Sequence, residues 1–72
     1  MQNSQMASAK GPLLVGPKQA RWLLNCGQTH LYELLNSGEI ASFRDGKSRK
    51  IPVKSIESYI ERKLMEAGNT SA

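Results

Sequence analysis

Seventy-two residues with an apolar share of 39% hold one domain and one thin core. Ten Lys and Arg against six Asp and Glu leave a formal charge of +4 and a pI near 9.6, which favours a polyanionic partner, nucleic acid before an anionic membrane surface. One cysteine and one histidine exclude an internal disulfide and a zinc cluster, and the apolar runs are too short to span a membrane or drive secretion. A cytoplasmic protein without cofactor, metal or small-molecule ligand is expected.

Residues 1–10 are small and polar with no apolar period, and Gly11-Pro12 punctuates their end, so 1–12 reads as a disordered arm. Gly16 as N-cap and Pro17 at the first helical position open a helix whose Ala20, Leu23 and Leu24 share one face. Asn25 tolerates the left-handed turn that ends a helix. Gly27 caps a second helix, Gln28 to about Ser37, with Leu31, Leu34 and Leu35 as its apolar positions and Gly38 as its stop. Only Asn25-Cys26-Gly27 separates the two, which is the tight turn of a helix-turn-helix.

Beyond Ile40 the periodicity changes. Ser42-Phe43-Arg44 and Arg49-Lys50-Ile51 flank Asp45-Gly46-Lys47-Ser48, a hairpin signal, and Pro52 ends the second strand. A last helix is expected from about Val53 to Met65, with Val53, Ile56, Ile60 and Leu64 at helical spacing and Tyr59 beside them. Neighbouring Lys18 and Arg21 could present Trp22 at the surface, but it is expected to pack partly beneath the hairpin or the last helix. Gly68 should stop that helix and leave 67–72 as a disordered tail. The expected fold is mainly α with a small β-hairpin, a winged helix-turn-helix over residues 13–66.

The charge is not evenly spread. From Ala41 to Ser55 stand five basic residues (Arg44, Lys47, Arg49, Lys50, Lys54) and one acid, Asp45, an excess of four that equals the net charge of the whole chain. Arg44, Lys47, Ser48, Arg49 and Lys50 on a hairpin tip can enter a groove, contact phosphates and release counterions. The same cations would also blunt an exposed edge strand against aggregation. On the second helix, the buried leucines leave Gln28, Thr29, Tyr32, Glu33 and Asn36 on one face, with His30 near the helix start. Gln and Asn can bond adenine edges, Thr can meet the thymine methyl, and Glu can accept from cytosine N4. Taken singly, each fits a solvated helix face. The turn before them and the basic hairpin after them support base contact. Lys18 and Arg21 on the first helix are further candidates for phosphate contact.

Catalysis finds no support. Gly46-Lys47-Ser48 ends like a phosphate-binding loop, but Ala41 stands where that motif needs Gly, and a strand and Pro52 follow where it needs a helix. His30 lacks a paired acid and nucleophile, and Cys26 suits a small core position. Glu57, Glu61, Arg62 and Lys63 read as a solvated helix face. No catalytic residue is assigned, and the chain is not expected to be an enzyme.

Taken in order, residues 14–64 resemble the excisionase-like family of small winged helix-turn-helix domains, relatives of the MerR-type DNA-binding head. The resemblance rests on Pro17-Lys18-Gln19-Ala20, Leu24-Asn25-Cys26-Gly27, His30-Leu31-Tyr32, Leu35-Asn36-Ser37-Gly38-Glu39-Ile40, and the basic run from Phe43 that ends at Ile51-Pro52. Asn25 replaces the family's turn glycine, Cys26 its small aliphatic and Gly27 its capping hydroxyl. Gln28 and Glu33 stand where the family often carries Arg, which moves weight onto Arg44, Lys47 and Arg49. The resemblance implies an excisionase that binds and bends attachment-site DNA and directs an integrase or other recombinase of a mobile element or prophage toward excision. Copies would add head-to-tail on repeated sites; a two-fold dimer is not expected, because no spare apolar helix remains. Two other readings share these residues: a small phage or plasmid transcription regulator, and an interaction module that inhibits a regulator or integrase.

Overall fold

A computed structural model describes the backbone of residues 11–71 and the side chains of residues 11–68. In chain order the elements are β1 (Leu14–Val15), α1 (Pro17–Leu24), α2 (Gln28–Ser37), β2 (Phe43–Asp45), β3 (Ser48–Pro52) and α3 (Val53–Ser71). The strands form one antiparallel sheet in the order β1-β3-β2. The architecture is the expected winged helix-turn-helix, mainly helical, with β2 and β3 as the wing.

Local chemistry sets the turns. Gly16 and Gly27 hold extended backbone before α1 and α2, and Pro17 occupies the first turn of α1. Asn25 is left-handed at φ 55 and ψ 50. Its N–H donates to the Trp22 carbonyl at 3.2 Å and the Cys26 N–H donates to the Arg21 carbonyl at 3.0 Å, the paired bonds of a Schellman stop. Gly38, at φ 85, ends α2 in the same region. In the wing, Asp45 pairs with Ser48, so the loop is only Gly46-Lys47, and Gly46 supplies the positive φ of 66. A glycine first in a two-residue loop matches the right-handed twist of the strands.

β1 is too short to carry a readable alternation, and nothing in the sequence announces it. Leu14 pairs with Pro52 and Val15 with Ile51, while the Val53 N–H donates to the Leu13 carbonyl at 2.9 Å. The chain before α1 is thereby fixed to the strand that leads into α3.

The buried core is Val15, Ala20, Leu31, Leu34, Leu35, Ile40, Ile51 and Ile56. Strands β1 and β3, all three helices and the loop after α2 contribute to it, and only β2 adds no buried side chain. Two further bonds fix α3: Arg62 Nη2 donates to the Glu39 carbonyl at 2.8 Å, and the Ala41 N–H donates to Ser55 Oγ at 2.7 Å. Arg62 and Lys63 also lie 5.8 and 5.7 Å from the Tyr59 ring centroid. Both cations are exposed, as expected of a solvated helix face, and Arg62 also ties that face to the loop after α2.

Three expectations change. Trp22 is 76% exposed, because it lies two residues from buried Ala20, about 200° around a helix of 3.6 residues per turn. Helix α3 runs through Gly68 to Ser71, since that glycine does not take the left-handed conformation that stops α2. The helix outlasts the core, so Ile60, Leu64 and Met65 remain exposed at 39%, 65% and 67%. An apolar helix surface is thus left over after folding. The arm expected at 1–12 falls outside the described residues except for Gly11 and Pro12, which are exposed and outside any helix or strand.

Leu31→Ala should cost about 2–5 kcal/mol, comparable to the roughly 3–5 kcal/mol that a core of this size supplies, and urea denaturation followed by circular dichroism should show the variant largely unfolded. Asn25→Val forces a β-branched residue into the left-handed turn and should cost about 1–2 kcal/mol. Its melting temperature should fall by roughly 4–8 °C per kcal/mol, and an unchanged melt would contradict the account of the turn.

Candidate nucleic-acid interface

The leucines at positions 31, 34 and 35 turn one side of α2 into the core, and the spacing leaves the other side to solvent. Gln28, Thr29, His30, Glu33 and Asn36 are all exposed, and Tyr32 is half-buried at the edge facing the wing. Gly27 gives no side-chain cap, so the first N–H groups of α2 keep their partial positive charge next to Gln28 and Thr29. His30 Nδ1 lies 3.7 Å from Glu33 Oε1, a pair that is charged only when the imidazole is protonated. Glu33 is therefore drawn toward the preceding turn.

In the wing, Arg44, Lys47 and Ser48 are exposed, whereas Arg49 and Lys50 are partly buried. Arg49 Nε–H donates to Ser42 Oγ at 3.1 Å, and its guanidinium sits 5.9 Å from the Tyr32 ring centroid. The start of α1 at Gly16-Pro17, Tyr32 of α2 and the wing residues Arg44 and Lys47 to Lys50 line one open cleft of about 330 Å³. Its walls carry four cations, a phenol and a hydroxyl. The cationic wing and the half-buried edge of α2 at Tyr32 therefore stand side by side.

Lys18 and Arg21 are not part of that cleft. They line a second, shallower concavity on α1 together with Trp22 and the turn residues Asn25, Cys26 and Gly27. Lys18 is exposed, and Arg21 is partly buried with Nε lacking an acceptor among the described residues. Sequence reasoning missed that the start of α1 forms a wall of the wing cleft, which needed the pairing of β1 with β3. Trp22 presents its ring beside Lys18 and Arg21, the surface placement that its two-residue offset from Ala20 favours over burial beneath the wing.

Among the described residues no group of three or more His, Cys, Asp or Glu is placed to hold a metal ion, and no helix is long and apolar enough to cross a membrane. What the surface offers is hydrogen-bonding side chains on a helix and cations on a hairpin.

Residues 14–64 match the family model of the helix-turn-helix domain. A curated protein of Saccharopolyspora erythraea described as "Probable excisionase" is 37% identical over 54 residues, which is 75% of this chain and 55% of that protein. The chain thus spans about half the length of this relative. No solved structure matches. The matched span runs from β1 into α3 and takes in both helices of the motif and the wing, and this protein belongs to the helix-turn-helix domain family.

Proposed function

We propose that this protein binds attachment-site DNA as an architectural factor, bends it, and directs an integrase or related recombinase toward excision. The observation that carries the reading is the single cleft joining Tyr32 of the recognition helix to the cations of the wing, in a chain similar to a probable excisionase. Helix α2 chooses the sequence through Gln28, Thr29, Tyr32 and Asn36 in the major groove, with His30 and Glu33 at its edge. The wing supplies grip: Arg44 and Lys47 are its exposed cations, Ser48 offers a hydroxyl, and Lys50 lies beside them. Lys18 and Arg21 meet a phosphate on the far side of the turn. Residues 13–66 form the binding unit. The protein supplies shape, and the breaking of DNA bonds belongs to the recombinase.

Bending a site of 20–30 base pairs costs on the order of 1–6 kcal/mol, so several copies acting together supply it more readily than one. The exposed surfaces suit head-to-tail addition. One is the exposed Trp22 ring on α1; the other is the α3 stripe of Ile60 and Leu64, flanked by Lys54, Glu57 and Glu61. They differ in kind, which favours a heterologous contact over a two-fold one.

The decisive test is an excision assay with the integrase, scored with and without this protein. Added protein should raise the excised product, and an unchanged yield rejects the directional role. On attachment-region duplex, Arg44→Ala with Lys47→Ala should weaken binding across sequences. The salt slope of log K should become shallower by about 0.9 for each phosphate that is no longer neutralised. Asn36→Ala should instead relax the preference at one base pair, at a cost of about 1–3 kcal/mol. If copies add head-to-tail through these surfaces, Trp22→Ala should abolish cooperative binding on tandem sites and leave single-site affinity in place, as read by gel shift.

A further inference from the structure

We propose that Arg49 is a positioning residue, which braces the wing against the recognition helix and does not itself hold DNA. The inference rests on the DNA-binding reading above and reassigns one of the wing cations within it.

Strand alternation is the first ground. Successive side chains of a strand point to opposite faces, so Arg49 shares its face with Ile51 two residues later. Ile51 is fully buried beneath the helices. Arg49 therefore faces α2, and it is partly buried while Arg44, Lys47 and Ser48 at the tip are exposed.

The second ground is its set of partners. Arg44 and Arg49 are directly opposed in the β2–β3 register, an arrangement in which like charges repel. Arg49 turns aside. Its Nε–H donates to Ser42 Oγ at 3.1 Å, and the guanidinium lies 5.9 Å from the centroid of Tyr32. The negative face of the ring attracts that cation, and Arg44 is left exposed for a phosphate. Tyr32 belongs to the same row of α2 as Gln28 and Asn36, one helical turn away on either side. The brace thus ties the base-reading row to the wing and fixes the distance between the two DNA-contacting elements.

Side-chain shape makes the idea testable. A guanidinium can donate from Nε while stacking its plane on a ring, whereas a lysine ammonium has no Nε donor and no plane. A phosphate contact tolerates Lys in place of Arg far better than such a brace does.

The experiment uses the full chain and two duplexes: one that the wild type selects from a random pool, and a scrambled duplex of the same composition. Affinity for each is measured against salt concentration. Arg49→Ala and Arg49→Lys should both lower the ratio of selected to scrambled affinity about tenfold, the equivalent of one good base contact. Binding to the scrambled duplex and the salt slope should stay as in wild type. Ser42→Ala, which removes only the acceptor, should lower the same ratio by a smaller factor. Arg44→Ala is the contrast: it should reduce the salt slope by about 0.9 on both duplexes. The proposal is overturned if Arg49→Ala reduces the slope as Arg44→Ala does and Arg49→Lys restores it. It is equally overturned if Arg49→Ala weakens both duplexes by one factor in step with a lower melting temperature, which marks a role in fold stability alone. A wild-type protein that binds neither duplex would instead refute the DNA-binding reading itself.

Discussion

Every element of this small domain except β2 shares one layer of eight buried side chains, and that sharing governs the placement of everything else. Leu31, Ile40, Ile51 and Ala20 have no exposed surface, so α1, α2, β3 and the loop after α2 are locked to one another through direct contact. Burying Leu31, Leu34 and Leu35 fixes the rotation of α2 about its own axis. Once that rotation is set, Gln28, Thr29, Glu33 and Asn36 have no choice but to face outward. Ile51 does the same for the wing: its burial on one face of β3 turns Arg49 inward with it and brings the hairpin alongside Tyr32.

The division of labour between helix and wing follows from where charge can be tolerated. Within α2 Glu33 is the one formally charged side chain and lies 3.7 Å from His30, and the helix start contributes partial positive charge from free N–H groups. Full positive charges are gathered on the wing, where exposure keeps Arg44 and Lys47 hydrated until a polyanion replaces the water. In the function proposed above, a surface built this way reads bases through neutral hydrogen-bonding groups and gains affinity from phosphates through the hairpin. Its binding should therefore be steeply dependent on salt and only modestly dependent on any one helix residue.

The C-terminal helix shows what a thin core leaves undone. Val53, Ile56 and Tyr59 reach the interior, and Arg62 ties the helix to the Glu39 carbonyl. Beyond that turn α3 adds no buried apolar side chain among the described residues, and Ile60, Leu64 and Met65 stay exposed, with Glu57 and Glu61 also exposed on the helix. Trp22 is in the same position on α1. Both sites carry apolar surface on elements already stabilised by the core, so their composition is free to serve contacts outside the domain.

Much of this was legible in the sequence because it depends on neighbours along the chain. Helical spacing placed the leucines of α2, Asn25 and Gly38 announced the two left-handed stops, and Gly46 announced the hairpin; each signal is a matter of local backbone sterics. The clustering of cations between Ala41 and Ser55 was equally plain, and the order of the motifs pointed to the family. Other features required residues distant in sequence to meet. The strand at Leu14–Val15 exists only through its pairing with Ile51 and Pro52. Trp22 is exposed because none of the described elements reaches across α1 to cover it. Arg49 looked like its neighbours on the hairpin, and only the approach of Tyr32 and Ser42 separates it from them. Local sterics and charge content thus determined the elements and the class of partner, whereas long-range packing decided which cations are free to bind and which are already engaged.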